Sequence, residues 1–238
     1  MGIMEYDLPA LWAEMGRGLA VWGMPVLLAI CLHEAAHGYA AWRLGDDTAK
    51  RLGRVSLNPL RHVHWVGTVM IPALLFFLKS PFLFGFAKPV PVNFTRLRHP
   101  RRDMAWVALA GPAMNVFLAL VSALLLHLVE FGGSYAGLIE ENLSNAVLIN
   151  VTLAVFNMFP LPPLDGGRIL TGILPLRFAI PYAKLENYGL IILVALIFAP
   201  IYFQSRLGLD LDFFGAFMHA GVAAVGNIVI FLAGGWGA

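Results

Sequence analysis

Apolar runs of about twenty residues, the length that crosses a bilayer's hydrocarbon as a helix, recur along this chain and constrain its fold more than any other feature. They fall near 18–42, 104–129, 144–174, 188–204 and 212–235. A sixth apolar region, 65–87, is interrupted in and just after its length by Pro72, Pro81, Gly85, Pro89 and Pro91. Proline lacks the N–H a helix needs and crowds the preceding turn, so this region reads as a poor continuous helix. Charged residues make up 13% of the 238, about half the quarter usual in soluble domains. The expected fold is an all-α polytopic membrane protein of about five to six transmembrane helices. One cysteine, Cys31, excludes an intramolecular disulfide and a cysteine-only metal site. The N-terminus has no basic stretch, apolar core and small-residue cleavage site in series, so the first span is expected to stay.

Lysine and arginine in short loops mark the cytoplasmic side. The segment 43–61 holds Arg43, Lys50, Arg51, Arg54 and Arg61, and 96–102 holds Arg96, Arg98, Arg101 and Arg102. Both lie on one side only if 62–95 enters the membrane and returns, a course tolerated where protein or a wet cavity covers irregular backbone. The loop 130–143 carries Glu130, Glu140 and Glu141 without a cation, whereas 168–186 carries Arg168, Arg177 and Lys184. The expectation is five spans and a re-entrant or β-hairpin segment between the first two core spans, N-terminus outside and C-terminus inside. A full sixth span at 65–80 is the alternative. The chain reads as a single membrane-embedded domain over 1–238, with a core at 18–175, the re-entrant region at 62–95 and C-terminal helices at 182–238.

Within the first span stands His33-Glu34-Ala35-Ala36-His37, charge-bearing groups at a depth where each costs about 2.5 to 3.5 kcal/mol even on lenient scales. Residues four apart share a helix face, so both imidazoles can reach one ion while Glu34 sits beside the metal's water. This HExxH spacing suits zinc. The competing reading is a helix whose polar groups face a partner.

A catalytic zinc takes three protein ligands and keeps one position open. Asp103, Glu130, Asp210 and Asp212 fall at span ends or in loops, which leaves Asp165 as the acid within a span region. It lies in "NMFPLPPLDGGRIL", where Pro160, Pro162 and Pro163 forbid regular helix and Gly166 and Gly167 permit close approach. Asp165 could instead cap the helix that restarts there. Glu34 lies about 12 Å from the end of its helix at Trp42, and Asp165 precedes basic Arg168 by three residues, so both arrive near the cytoplasmic face, where water can enter.

HExxH in one span and Asn-x-x-Pro-x-Pro-Pro-Leu-Asp-Gly-Gly in a later one together resemble the site-2 protease family, the intramembrane zinc metalloproteases. Between them, "GFAKPVPVN" (Gly85 to Asn93) is similar to a loop of the compact bacterial branch, and "AGPAMN" (Ala110 to Asn115) resembles its third-core-span motif. The likeness covers roughly 25 to 175. It implies one Zn2+ held by His33, His37 and Asp165, Glu34 as general base, and Asn157 as a hydrogen-bond donor to the substrate carbonyl or oxyanion. It also implies an integral protein of the bacterial cytoplasmic (inner) membrane, with its active site towards the cytoplasm. No separate stretch is long enough for the PDZ or CBS domains that many relatives carry, and no extra span precedes the HExxH helix.

A transmembrane helix must be unwound before its peptide bonds can be cut, and strand addition to an exposed edge would do this. In "KPVPVN", Pro89 and Pro91 strip donors from one edge while Val90 and Val92 keep theirs on the other. Val90, Val92 and Asn93 are therefore expected to contact substrate. Gly111, Pro112 and Asn115, like Pro160 and Gly166, are expected to shape the structure near the site, since small residues let membrane helices approach closely. His62, His64, His99, His127 and His219 read as interfacial or packing residues. The implied partners are a transmembrane-helix substrate and the lipid bilayer, with no nucleic acid; the basic loops suit anionic lipid. A catalytically silent scaffold is the rival function, which a substitution at Glu34 or a ligand would have favoured. A metal transporter would spread polar groups across the membrane, and a prenyl-protein protease would take a glutamate or histidine as third ligand.

Overall fold

The computed structural model describes residues 13, 16–56, 58, 61, 64–71, 74, 88–209 and 211–235. Among them every regular element is helical. Helix α1, Met24–Arg43, continues from a π-helical turn, Leu19–Gly23. The wider turn has a local cause: Pro25 has no N–H for the Val21 carbonyl. That carbonyl is taken by the side-chain amide of Asn145 at 3.1 Å, as a freed backbone group in a span requires.

A loop and the short α2, Thr48–Arg51, follow. The 27-residue α3, Pro100–Leu126, starts with proline where a free N–H is not needed. The Asp103 carboxylate reaches back to the N–H of His99 at 2.8 Å. The chain then runs through α4, Ala136–Asn157; α5, Asp165–Ile173; α6, Leu176–Ala183; α7, Gly189–Leu207; and α8, Phe213–Leu232.

Four helices are long and apolar enough to span a membrane: Gly16–Arg43, Pro100–Leu126, Gly189–Leu207 and Phe213–Leu232. Helix α4 is as long as these, but two glutamates and four asparagines dilute its apolar character. It begins eight residues before the expected span at 144. Glu140 and Glu141 lie on its first turns rather than in a loop, with Glu141 exposed enough to pair with Arg17 at 3.2 Å. The expected break in 144–174 occurs at 158–164, between α4 and α5.

Half of the expected re-entrant course at 62–95, namely 62–63, 72–73 and 75–87, lies outside the described residues. Its described parts are a helical turn, Trp65–Met70, and the segment 88–93, which carries no strand hydrogen bonding and enters a tight turn, Phe94–Arg96.

Helix α3 is the hub, packed against α1, α4, α5 and α8. Alanines make the close contacts: Ala119 and Ala123 of α3 meet Val151 of α4 and Val229 of α8 in one buried cluster. With lipid no less apolar than leucine, such packing of small surfaces is what holds membrane helices together. A second cluster, Ala41, Leu97 and Val107, joins the end of α1 to the loop before α3 and to α3 itself. That joint lies one turn from His37 and fixes how α1 faces α3.

Candidate metal centre

Helix α1 presents His33 and His37 one turn apart, with rings edge to face and centroids 4.6 Å apart. Each imidazole spends one nitrogen on the neighbouring helix. His33 Nδ1 lies 2.5 Å from Asn115 Oδ1, and His37 Nδ1 lies 2.7 Å from the Val107 carbonyl, both in α3. Those oxygens only accept, so both rings carry their proton on Nδ1 and turn an Nε2 lone pair the other way. Pro112 has no N–H for Ala108, the carbonyl next to the one His37 uses, which leaves this turn of α3 unusually open to side-chain donors.

Asp165 completes the group from the first residue of α5. No side chain caps the start of that helix, so its carboxylate is not the cap that a restarting helix might have called for. Asp165 Oδ2 lies 3.2 Å from His33 Nε2 and 3.3 Å from His37 Nε2, and the two Nε2 atoms are 2.9 Å apart. Asp165 Oδ2 is buried without a hydrogen bond, as expected of an oxygen facing two neutral imidazoles whose protons sit on Nδ1. Three lone-pair atoms thus point at one another in a buried place, an arrangement that repels itself unless a cation joins them. A tetrahedral ion with ligands at about 2.0 to 2.1 Å needs them about 3.3 Å apart. The donor set and spacing fit a divalent metal.

Gly111 supplies the room. A Cβ there would fall on Nε2 of His37 and Nε2 of His33, so any other residue would fill the space in front of both ligands. Gly166 acts similarly for Asp165: a Cβ would strike the Met158 carbonyl, so its absence lets α5 restart tight against the proline-rich break.

His33, His37 and Asp165 line a cavity of about 210 Å³ together with Glu34, Pro89, Val90, Val92, Phe94, Val107, Ala108, Asn157, Pro163 and Arg168. Glu34 Oε2 accepts the N–H of Val90 at 2.7 Å. An N–H expected at an open strand edge is therefore committed to the carboxylate next to the metal ligands. The N–H of Asn93 is likewise taken, by Asp46 Oδ2 at 2.6 Å, while Val92 lines the cavity. Asn157 also lines it, with one amide N–H on the Leu153 carbonyl at 3.0 Å. Pro160 stands in the break; its carbonyl accepts the Tyr182 hydroxyl at 2.8 Å. Of the other histidines described, His127 bonds the Ala233 carbonyl at 2.7 Å and His64 caps Trp65–Met70. Among the described residues, His33, His37 and Asp165 form the one group of three metal-ligating side chains.

Three contributors escaped the sequence reading. Asp46 is fully buried although it lies in a basic loop, and it takes the N–H of Thr48 at 3.0 Å, the Thr48 hydroxyl, and Asn93. Burial alone would raise its carboxyl; the bonds from Thr48 and Asn93, with Arg96 nearby, outweigh this and hold it below the ordinary value. Arg168 lines the cavity and pairs with Glu186 at 3.2 Å. Asn150 bonds Asn115 from α4. An asparagine in an apolar span was a visible signal; its target was not.

Peptidase family M50 matches residues 134–200 of the chain. The chain is 34% identical over 181 residues to the "Putative zinc metalloprotease YwhC" of Bacillus subtilis, covering 74% of this chain and 79% of that protein. It is 31% identical to the "Putative zinc metalloprotease Rip2" of Mycolicibacterium smegmatis, covering 73% of this chain and 65% of that one. Over 40% of its length it is 34% identical to the "Putative zinc metalloprotease MJ0611" of Methanocaldococcus jannaschii, of which 48% is covered. No solved structure matches it.

Proposed function

This chain belongs to peptidase family M50, the site-2 protease family, and from that premise we propose that it is an intramembrane zinc endopeptidase that cuts transmembrane segments of other proteins. The carrying observation is the convergence of His33 Nε2, His37 Nε2 and Asp165 Oδ2 within 3.3 Å, with both imidazoles held at their far nitrogens by α3.

His33, His37 and Asp165 would hold the zinc, which when bound would supply Lewis acidity to the scissile carbonyl and lower the pKa of a water towards about 7. Glu34 takes the proton of the attacking water and passes it to the leaving amine. The N–H of Val90 holds one oxygen of Glu34 and so aims the other. Asn157 has one N–H anchored on Leu153; the second is the candidate donor to the developing oxyanion, a contact whose loss elsewhere costs roughly 3 to 4 kcal/mol. The segment 88–93 borders the cavity through Val90 and Val92, which supports a role in receiving an unwound substrate, with Val92 pairing the peptide and Asn93 fixing the segment's end. The chain works as one membrane-embedded protease domain of the bacterial inner membrane, with its centre towards the cytoplasm. Its substrates are membrane-anchored regulators or signal-peptide remnants.

The test is zinc per molecule in the detergent-purified chain, together with cleavage of a transmembrane reporter. The wild type should hold about one zinc. His33→Ala and Asp165→Ala should lose both metal and cleavage, and Glu34→Gln should keep the metal and lose cleavage. Full zinc in Asp165→Ala would overturn the ligand set.

A further inference from the structure

We propose that Asn150 is a positioning residue for the metal centre, acting from a third helix through Asn115 on His33; the inference rests on the metal reading above. The three side chains form one directed line. Asn150 donates to the Ala146 carbonyl of its own helix at 2.9 Å and accepts from Asn115 at 2.8 Å. Asn115 donates also to the Ala29 carbonyl of α1 at 3.2 Å, and its Oδ1 faces His33 Nδ1 at 2.5 Å. Asn115 is 0% and Asn150 2% exposed, so neither can exchange these partners for water.

The direction of the line is dictated by its ends. The carbonyls of Ala29 and Ala146 can only accept, so the NH2 groups of Asn115 and Asn150 must face them. Both oxygens then point the other way: that of Asn150 at Asn115, that of Asn115 at His33. Asn115 could otherwise turn its amide over and offer N–H to the imidazole, which would require a lone pair at Nδ1 and a proton at Nε2. That arrangement would place a proton where the metal binds. Two helix carbonyls, read through two amides, thereby select the ring orientation that coordinates. Asn115 touches the ligand, and Asn150 makes the wrong orientation of Asn115 costly by leaving two NH-bearing or two oxygen-bearing groups opposed in a buried place.

Outer partners of ligating histidines elsewhere are worth about 10- to 100-fold in metal affinity. The full purified chain is titrated with zinc against a chromogenic chelator, and its cobalt-substituted spectrum is recorded. Asn150→Leu, one step removed from the ligand, should weaken zinc affinity by up to about tenfold, the lower end of what a direct partner costs, and shift the cobalt absorption bands. Asn150→Asp, neutral in so buried a place, gives its O–H to the Ala146 carbonyl in place of the amide N–H and keeps an oxygen opposite Asn115, so it should restore affinity and spectrum to near wild type. Wild-type affinity and spectrum in Asn150→Leu would overturn the proposal, as would equal weakening in both variants, which marks a packing role. A wild type that binds no zinc would overturn the metal reading and this inference together. A zinc-loaded wild type with an indifferent Asn150→Leu would overturn this inference alone.

Discussion

Single atoms decide the chemistry of this centre. The missing Cβ of Gly111 is the clearest case, since the methyl of alanine would occupy the space of both ligating nitrogens. Gly111→Ala is expected to keep its helices at an overpacking cost of about 1 to 3 kcal/mol, partly offset by about 1 kcal/mol of helix propensity, and to purify with under a tenth of the wild-type zinc; metal analysis beside a helicity measurement checks this. The three side chains that converge here were legible in the sequence for physical reasons. His33 and His37 announce themselves by a four-residue spacing in a run that tolerates few polar groups, and Asp165 by being the acid left over within the spans. Asn150 could not be assigned in this way. An amide in a helix has no stated target until it is known which helix lies opposite, and the contact of α4 with α3 arises from alanine packing that no local pattern reports. Gly111 was noted as a residue of close approach, but what approaches it could be learned only from the folded chain.

At the scale of elements, the segment 88–93 is held at two points, Val90 on Glu34 and Asn93 on Asp46. Asp46 also fastens the start of α2 through Thr48, so one carboxylate ties the end of α1, α2 and the bordering segment together. Asp46→Ala should leave zinc content unchanged and lower cleavage by about tenfold or more, since displacement of a positioning group by about 1 Å can cost 10²-fold. Its pH dependence follows from the lowered carboxyl. A carboxyl lowered in the fold adds stability above the unfolded value near 3.9, and that contribution disappears only as pH falls through the still lower folded value. Chymotryptic cleavage at Phe94, scored at each pH against an unstructured reference peptide, should therefore stay slow in the wild type from pH 8 to 6 and be fast at the same pH values in Asp46→Ala. The break between α4 and α5 was legible from Pro160, Pro162 and Pro163. The start of α4 was not, because Glu140 and Glu141 read as loop residues when their place on the exposed face of a first helical turn is unknown.

For the whole molecule, the basic loops on either side of 62–95 predict one shared cytoplasmic side. Reporter fusions after Pro59 and after Arg102 should give the same cytoplasmic signal, and opposite signals would establish a full span between them. The metal centre draws on α1, α3, α4 and α5, all gathered around α3. Among the described residues helix α7 is the least embedded in the bundle: its apolar stretch is almost entirely unburied, and its main contact with a long helix is with α8. Lipid acyl chains are thus the solvent of α7 in the sense that water is the solvent of a surface loop. Extraction exchanges those chains for detergent, so a harsh, short-tailed detergent will loosen the C-terminal end first and reach the catalytic half last. A preparation can then look poorly behaved by size-exclusion chromatography and still carry an intact centre, which makes retained metal a better guide than monodispersity when choosing the solubilising agent.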